Sequence, residues 1–422
     1  MYPHRVRLHG PWQFEPVTRT AVLGDGRIEQ RLGPVPLSGR VRIPVTSVGT
    51  TLDGFRGRVR WRRAFHWPRT LEAHERLWLA FDGVDYFADV ALNQVPLGRH
   101  EGYFDPFEFD ITGLIGRRNE LVVAVDCPAE IDVCRPRMIR GTLETRAPRF
   151  VGGLWRDVTL QVRSVAFLRY VAVQTHLDGP RGTITVTGEV VGDTAARLGL
   201  ELSVDGAWLT GQEAEASPSG APFRIEAAID PAELWWPPPL GRPRLYAALL
   251  ELHGNARTLD SSERRLGFRR VVLEPSLTSL ELNGRLVEVK HTDIDPGAQP
   301  LDVTGEVVER LTKDSAHDER SVVLAHVAGR VVGPGLYEAA NERGVLLWQD
   351  FPLVEHGPTD PAFRDEAVRQ AEAMVRQLGS HPSIALWSCH AGGPNQASAV
   401  AEAVRTRLAM IDPTRFCTGG QC

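Results

Sequence analysis

The chain has 422 residues, 42% hydrophobic and 24% charged, the balance of a soluble protein with material for several hydrophobic cores. A formal charge of −5 excludes the basic excess that a nucleic-acid surface needs, and no apolar run reaches the ~18 residues that span a membrane. The N-terminus carries no apolar signal segment, and five cysteines in neither a metal-ligand nor a disulfide spacing fit a reducing cytoplasm.

Residues 1–163 read as all-β. Short alternating runs recur at 59–65 (VRWRRAF), 76–81 (RLWLAF), 88–93 (ADVALN), 120–126 (ELVVAVD) and 157–162 (DVTLQV). Regular short strands with Gly, Pro and Asn between them predict a jelly-roll β-sandwich. Trp78, Phe81 and Tyr86 are expected in its core. Residues 164–270 form a second β-segment, with strands in YVAVQTHL, TITVTGEVV, LGLELSV, FRIEAAI and LYAALLEL. Its length and strand count fit an immunoglobulin-like sandwich, into which Trp235 and Trp236 are expected to pack.

From 271 to 422 the pattern changes. Strands at 286–290 (LVEVK), 321–327 (SVVLAHV), 345–348 (VLLW) and 383–388 (SIALWS) alternate with helical spacing at 303–316, 336–344, 361–379 and 396–411. Gly344 and Gly379 end the two middle helices, and the acids of 361–379 read as a solvated face. Alternating β and α with continuous apolar strands means parallel βα units. Four are present, where a complete (β/α)8 barrel needs eight.

Several segments together resemble family 2 glycoside hydrolases, the group of β-galactosidases, β-glucuronidases and β-mannosidases. FDGVDYFADVALNQVPLGRHEGYFDPFEFDIT (81–112) is similar to that family's sugar-binding jelly roll, and GGLWRDVTL (152–160) to the strand that closes it. LWWPPPLGRPRLY (234–246), LGFR (266–269), LNGR (282–285), GVLLWQDFPL (344–353) and HPSIALWS (381–388) follow in the family's order. WQDF resembles the β-mannosidase-like branch most. The resemblance implies a jelly roll, an immunoglobulin-like sandwich and the first four βα units of a TIM barrel. It also implies action on O-glycosyl bonds of β-linked sugars, without metal or cofactor.

A retaining glycosidase needs two carboxyl groups about 5–5.5 Å apart, one as acid/base and one as nucleophile. In this family the acid/base is the Glu of an Asn-Glu pair after the HPS-x-x-x-W strand. Here that strand continues Trp387, Ser388, Cys389, His390, Ala391, Gly392, so Ala391 and Gly392 stand at the Asn-Glu positions. The nucleophile's place, on the seventh barrel strand, falls beyond Cys422. An Arg implied at the end of the second barrel strand is replaced by Leu324 or His326, and Ala147, Pro148 and Arg149 replace acidic and aromatic groups ahead of GGLW. General acid–base help is worth about 10²–10⁴-fold, so ordinary turnover is not expected from this chain alone.

Four residues are substrate-binding candidates. Asp350 ends the WQD strand, where it either binds a sugar hydroxyl or a neighbouring cation, or caps the following loop. His390 ends the fourth strand and either meets the sugar or is satisfied by backbone. His356, in the loop LVEHG, corresponds to a substrate-contacting histidine of the galactosidase branch or is simply exposed. Trp387 is either the floor of a sugar subsite or core. Cys389 beside His390 is set aside as a nucleophile, since strand neighbours point to opposite faces. Three readings follow. The first is a catalytically impaired glycosidase. The second is one half of a split β-mannosidase or β-galactosidase. The third is a non-catalytic carbohydrate-binding or scaffold protein. A sheet cut after four parallel strands leaves an edge that invites a homo-oligomer or a covering partner.

Overall fold

The computed structural model describes residues 3–23, 27–45, 50–130, 139, 152–192, 197–274, 276–294, 307–311, 320–353, 360–389 and 399–418. The N-terminal strands are β1 (His4–Arg7), β2 (Trp12–Val22), β3 (Ile28–Arg31), β4 (Gly39–Val41), β5 (Gly57–His66) and β6 (Glu75–Phe81). They continue with β7 (Phe87–Leu92), β8 (Val95–Glu101), β9 (Phe107–Asp110), β10 (Arg118–Cys127), β11 (Ala129–Glu130) and β12 (Val158–Ser164). A four-stranded sheet, β1-β12-β6-β9, faces an eight-stranded one, β11-β2-β5-β10-β7-β8, in which β3 and β4 also pair with β2. Strict alternation in β5 and β7 sends every second side chain inward, where Trp12, Trp61, Phe81, Leu121 and Leu160 make one core. Gly153 of the GGLW segment has φ +80°, and a Cβ there would lie 2.6 Å from the Trp61 ring, so both conformation and space require glycine.

The middle strands are β13 (Ala166–Asp178), β14 (Arg181–Gly192), β15 (Leu198–Val204), β16 (Ala207–Ala214), β17 (Ala221–Ile229), β18 (Tyr246–Gly254) and β19 (Arg257–Leu266). They form sheets β13-β14-β17 and β16-β15-β18-β19 around a separate core. β16 and β19 lack a readable apolar alternation, because both lie at sheet edges and present mainly polar residues.

The last sheet has seven strands in sequence order: β20 (Val271–Leu273), β21 (Ser279–Leu282), β22 (Arg285–Asp293), β23 (Ser321–Val327), β24 (Leu346–Phe351), β25 (Ile384–Cys389) and β26 (Phe416–Thr418). The first three pair antiparallel and β22 to β26 pair parallel. Helical residues 307–311 (α1), then α2 (Pro334–Arg343), α3 (Pro361–Leu378) and α4 (Ala399–Ile411), lie between successive parallel strands. β26 adds a fifth parallel strand to the four that the sequence predicts, too short to show a period. Asp360 caps α3 by accepting from Phe363 N at 3.1 Å, with Pro361 at the first position. Gly344 ends α2 in the left-handed conformation, whereas Gly379 stays right-handed. None of the described helices is long and apolar enough to cross a membrane.

The three parts are stapled together. Phe81 and Tyr86 are fully buried, but Tyr86 packs into the core of the last sheet, its hydroxyl accepting from the Gln370 amide of α3 at 3.2 Å. Trp78 is half-buried, with the Arg163 guanidinium over its ring. Arg156 donates to Val332 O at 2.7 Å and to Gln377 at 3.1 Å, and Arg369 of α3 pairs with Asp105 at 2.7 Å.

Candidate functional site

Each parallel strand presents one row of side chains to the helices and the other to the opposite face. On β23 that opposite row is Val322, Leu324, His326; on β24 it is Leu346, Trp348, Asp350; on β25 it includes Leu386 and Ser388; on β22, Val287, Val289, His291, Asp293. Every row is apolar where the strand begins and polar where it ends. The apolar ends pack on Trp235, contributed by the middle sandwich. Register sets Asp293 beside His326, His326 beside Trp348, and Asp350 beside Ser388. The polar residues therefore meet at the C-terminal ends of the strands, where parallel α/β sheets place their sites.

Asp350 is the buried anchor of this cluster. Its Oδ2 accepts from Gly329 N at 2.8 Å and lies 3.0 Å from His326 Nε2, an ion-pair contact not aligned as a hydrogen bond. Its Oδ1 accepts from the Ser388 hydroxyl, which in turn accepts from the Trp348 indole N–H. The His326 ring stacks on Trp348 with centroids 4.2 Å apart, and its Nδ1 lies 3.3 Å from Asp293. Asp293 is 60% exposed and Asp350 is 2% exposed. Thus Asp350 holds the loop after β23 and orients His326 and Ser388, while Asp293 faces outward and His326 is mostly covered, its side chain 18% exposed. The arrangement offers a donor and an acceptor side by side, the pattern that fixes a hydroxyl. Among the described residues no three His, Cys, Asp or Glu side chains are grouped to hold a metal ion.

Trp387 is not a sugar floor. It lies between Leu386 and Ser388 and so points to the helices, is fully buried, and donates from its indole to Asp412 at 2.9 Å. Asp412 is paired with Arg415, which sits over the same indole, so no ring face is left open. Cys389 points the same way, toward Ala401 O at 3.8 Å, and burial pushes its thiol well up, which disfavours a thiolate. His356, His390, Ala391 and Gly392 lie outside the described residues. Ser388 and Asp293 escaped the sequence reading. The sequence pattern predicts the β22 run only to residue 290, while the strand continues to Asp293.

The segments that carried the resemblance serve the junction. Trp235 donates to Asn341 O at 2.9 Å, and Asn283 of LNGR donates to Trp235 O at 3.1 Å. A Cβ on Gly344 would meet Pro238 at 2.6 Å, which ties the αL end of α2 to the WWPPP run. Arg269 of LGFR donates to Pro382 O at 2.9 Å and to Ile384 O, and burial pushes it down to about 9. Desolvation pushes the partly buried His381 down to about 3; as a neutral ring it accepts from the Asn341 amide at 2.7 Å.

Two family models match the chain: a glycosyl hydrolase 2 galactose-binding domain-like model over residues 56–138 and glycosyl hydrolases family 2 over residues 166–269. A β-mannosidase B of Thermothelomyces thermophilus is 26% identical over 370 residues, covering 79% of this chain and 43% of the relative. A β-mannosidase of Rattus norvegicus is 24% identical, covering 77% and 42%. The chain spans less than half the length of these curated relatives. A β-D-mannosidase of Dictyoglomus thermophilum superposes with a TM-score of 0.78 at 20% identity, over 99% of this chain and 57% of that one. β-Glucuronidase 2 of Bacteroides uniformis does so at 0.75 and 20%, over 99% and 52%. The family models, the relatives and the solved structures together support a member of glycoside hydrolase family 2 of the β-mannosidase-like branch.

Proposed function

We propose that the strand-end cluster binds the sugar of a β-linked glycoside, of the mannoside type, and that this chain alone does not hydrolyse it. The observation that carries the binding reading is exposed Asp293 beside the partly covered His326, braced by buried Asp350 and Ser388. Five parallel strands in sequence order, with helices between them, support reading residues 271–422 as the first units of a (β/α)8 barrel behind sandwiches at 1–163 and 164–270. On that reading the cluster lies at the barrel mouth. Ala391 and Gly392 at the Asn-Glu positions support loss of the acid/base. The described thiols Cys389 and Cys417 are in no disulfide, which supports a cytoplasmic setting. Equilibrium binding of mannobiose by the parent chain and by His326→Ala tests the assignment. Binding that His326→Ala weakens at least about tenfold is expected. Equal binding by both, or by neither, removes the site. Release of nitrophenol from an aryl β-mannoside removes the claim of lost catalysis.

A further inference from the structure

β3 pairs with β2 along one edge, and its other edge has no strand partner among the described residues. All four residues of β3 are exposed, and Leu32 beside it is fully exposed. Proteins usually blunt such an edge with lysine, proline or a bulge. Here the order Ile28, Glu29, Gln30, Arg31, Leu32 runs apolar, acidic, amide, basic, apolar. That order is complementary to itself when reversed. A second β3 laid antiparallel, with the two Gln30 residues opposite each other, sets each Glu29 against the other copy's Arg31 and each Ile28 against its Leu32. A parallel, in-register arrangement would instead oppose like charges. The pleat puts Glu29 and Arg31 on one face, where they lie 3.5 Å apart within one chain, and Ile28, Gln30 and Leu32 on the other. Leu37, 79% exposed, and Val35 extend the apolar surface next to this edge.

We propose that β3 is a two-fold self-association edge that takes a second copy of this chain by antiparallel strand addition. The contact is small, so the dimer is weak, with a Kd on the order of micromolar. Sedimentation equilibrium of the full chain over about 1–100 µM is expected to show a concentration-dependent dimer. Glu29→Arg and Arg31→Glu each replace two attractive pairs by two repulsive ones and weaken it about tenfold. The double swap Glu29→Arg with Arg31→Glu restores the pairing and brings the Kd back to within about threefold. Gln30→Cys, on the two-fold axis, gains a disulfide-linked dimer on mild oxidation that the parent chain does not form. These side chains are exposed, and unchanged melting temperatures confirm that the variants fold. A monomer at every concentration, a dimer indifferent to the single reversals, or a double swap no stronger than the singles overturns the proposal.

Discussion

The junction between the sandwiches and the last sheet differs from the strand-end cluster in how each treats its polar groups. At the junction, Trp235, Arg269 and Arg415 are buried and His381 is partly buried, and their polar atoms meet fixed backbone carbonyls, one amide and the Asp412 carboxylate. At the strand ends, one carboxylate is buried so that other groups can stay open. The resembling segments lie mostly at the junction, while Ala391 and Gly392, proposed above to stand at the acid/base positions, follow β25 outside the described residues. Retention of a family's segments therefore reports how its domains dock more than what chemistry its pocket performs.

If the junction is structural, its disruption costs stability first. Trp235→Ala removes a fully buried indole and leaves Asn341 O without that donor, and about 3–5 kcal/mol is expected in denaturant unfolding. A loss below about 1 kcal/mol erases the contrast between the regions.

The next effect is a pH dependence. His381 titrates near 3 when folded and near 6.5 when unfolded, so the unfolded chain binds more protons between these values. Stability is then lost as pH falls below 6.5, by at most about 1.4 kcal/mol per unit. Asp260 of the middle sandwich has the opposite sign. Burial pushes it up to about 6 despite hydrogen bonds from Leu168 N and Ser261 N, so its contribution is lost as pH rises from about 4 to 6. Unfolding of the parent, His381→Gln and Asp260→Asn across pH 4–7 separates the two, and slopes unchanged by both substitutions refute the assignment.

Smaller effects are expected at the strand ends. Asp350→Asn replaces a carboxylate that receives Gly329 N–H and the Ser388 hydroxyl, costing about 1–3 kcal/mol and loosening His326. Asp293→Ala, at a 60% exposed side chain, should change stability by less than about 0.5 kcal/mol while weakening sugar binding. A stability loss at Asp293 matching that at Asp350 would mean that the cluster is structural throughout.

Much of the fold was legible because half-buried strands announce themselves by alternation, as β5 and β7 do. Edge strands such as β16 carry no such signal, since neither face is fully buried. The site was legible only in part. Asp350 was picked by its strand-end position, yet that position did not say that its oxygens are already engaged. Trp387, an aromatic candidate on the neighbouring strand, faces the helices, a one-residue difference in parity that apolar composition hides when both faces are buried. The partners of Asp350 depend on register between β23, β24 and β25, which no single strand's sequence contains.

The central claim is a strand-end sugar site without turnover, and calorimetric titration of an aryl β-mannoside into the intact chain tests both halves at once. The account predicts saturable heats that return to a flat baseline after each injection, and weaker heats for Asp293→Ala. Absence of saturable heat contradicts the site, and a sustained baseline offset from continuing hydrolysis contradicts the loss of catalysis.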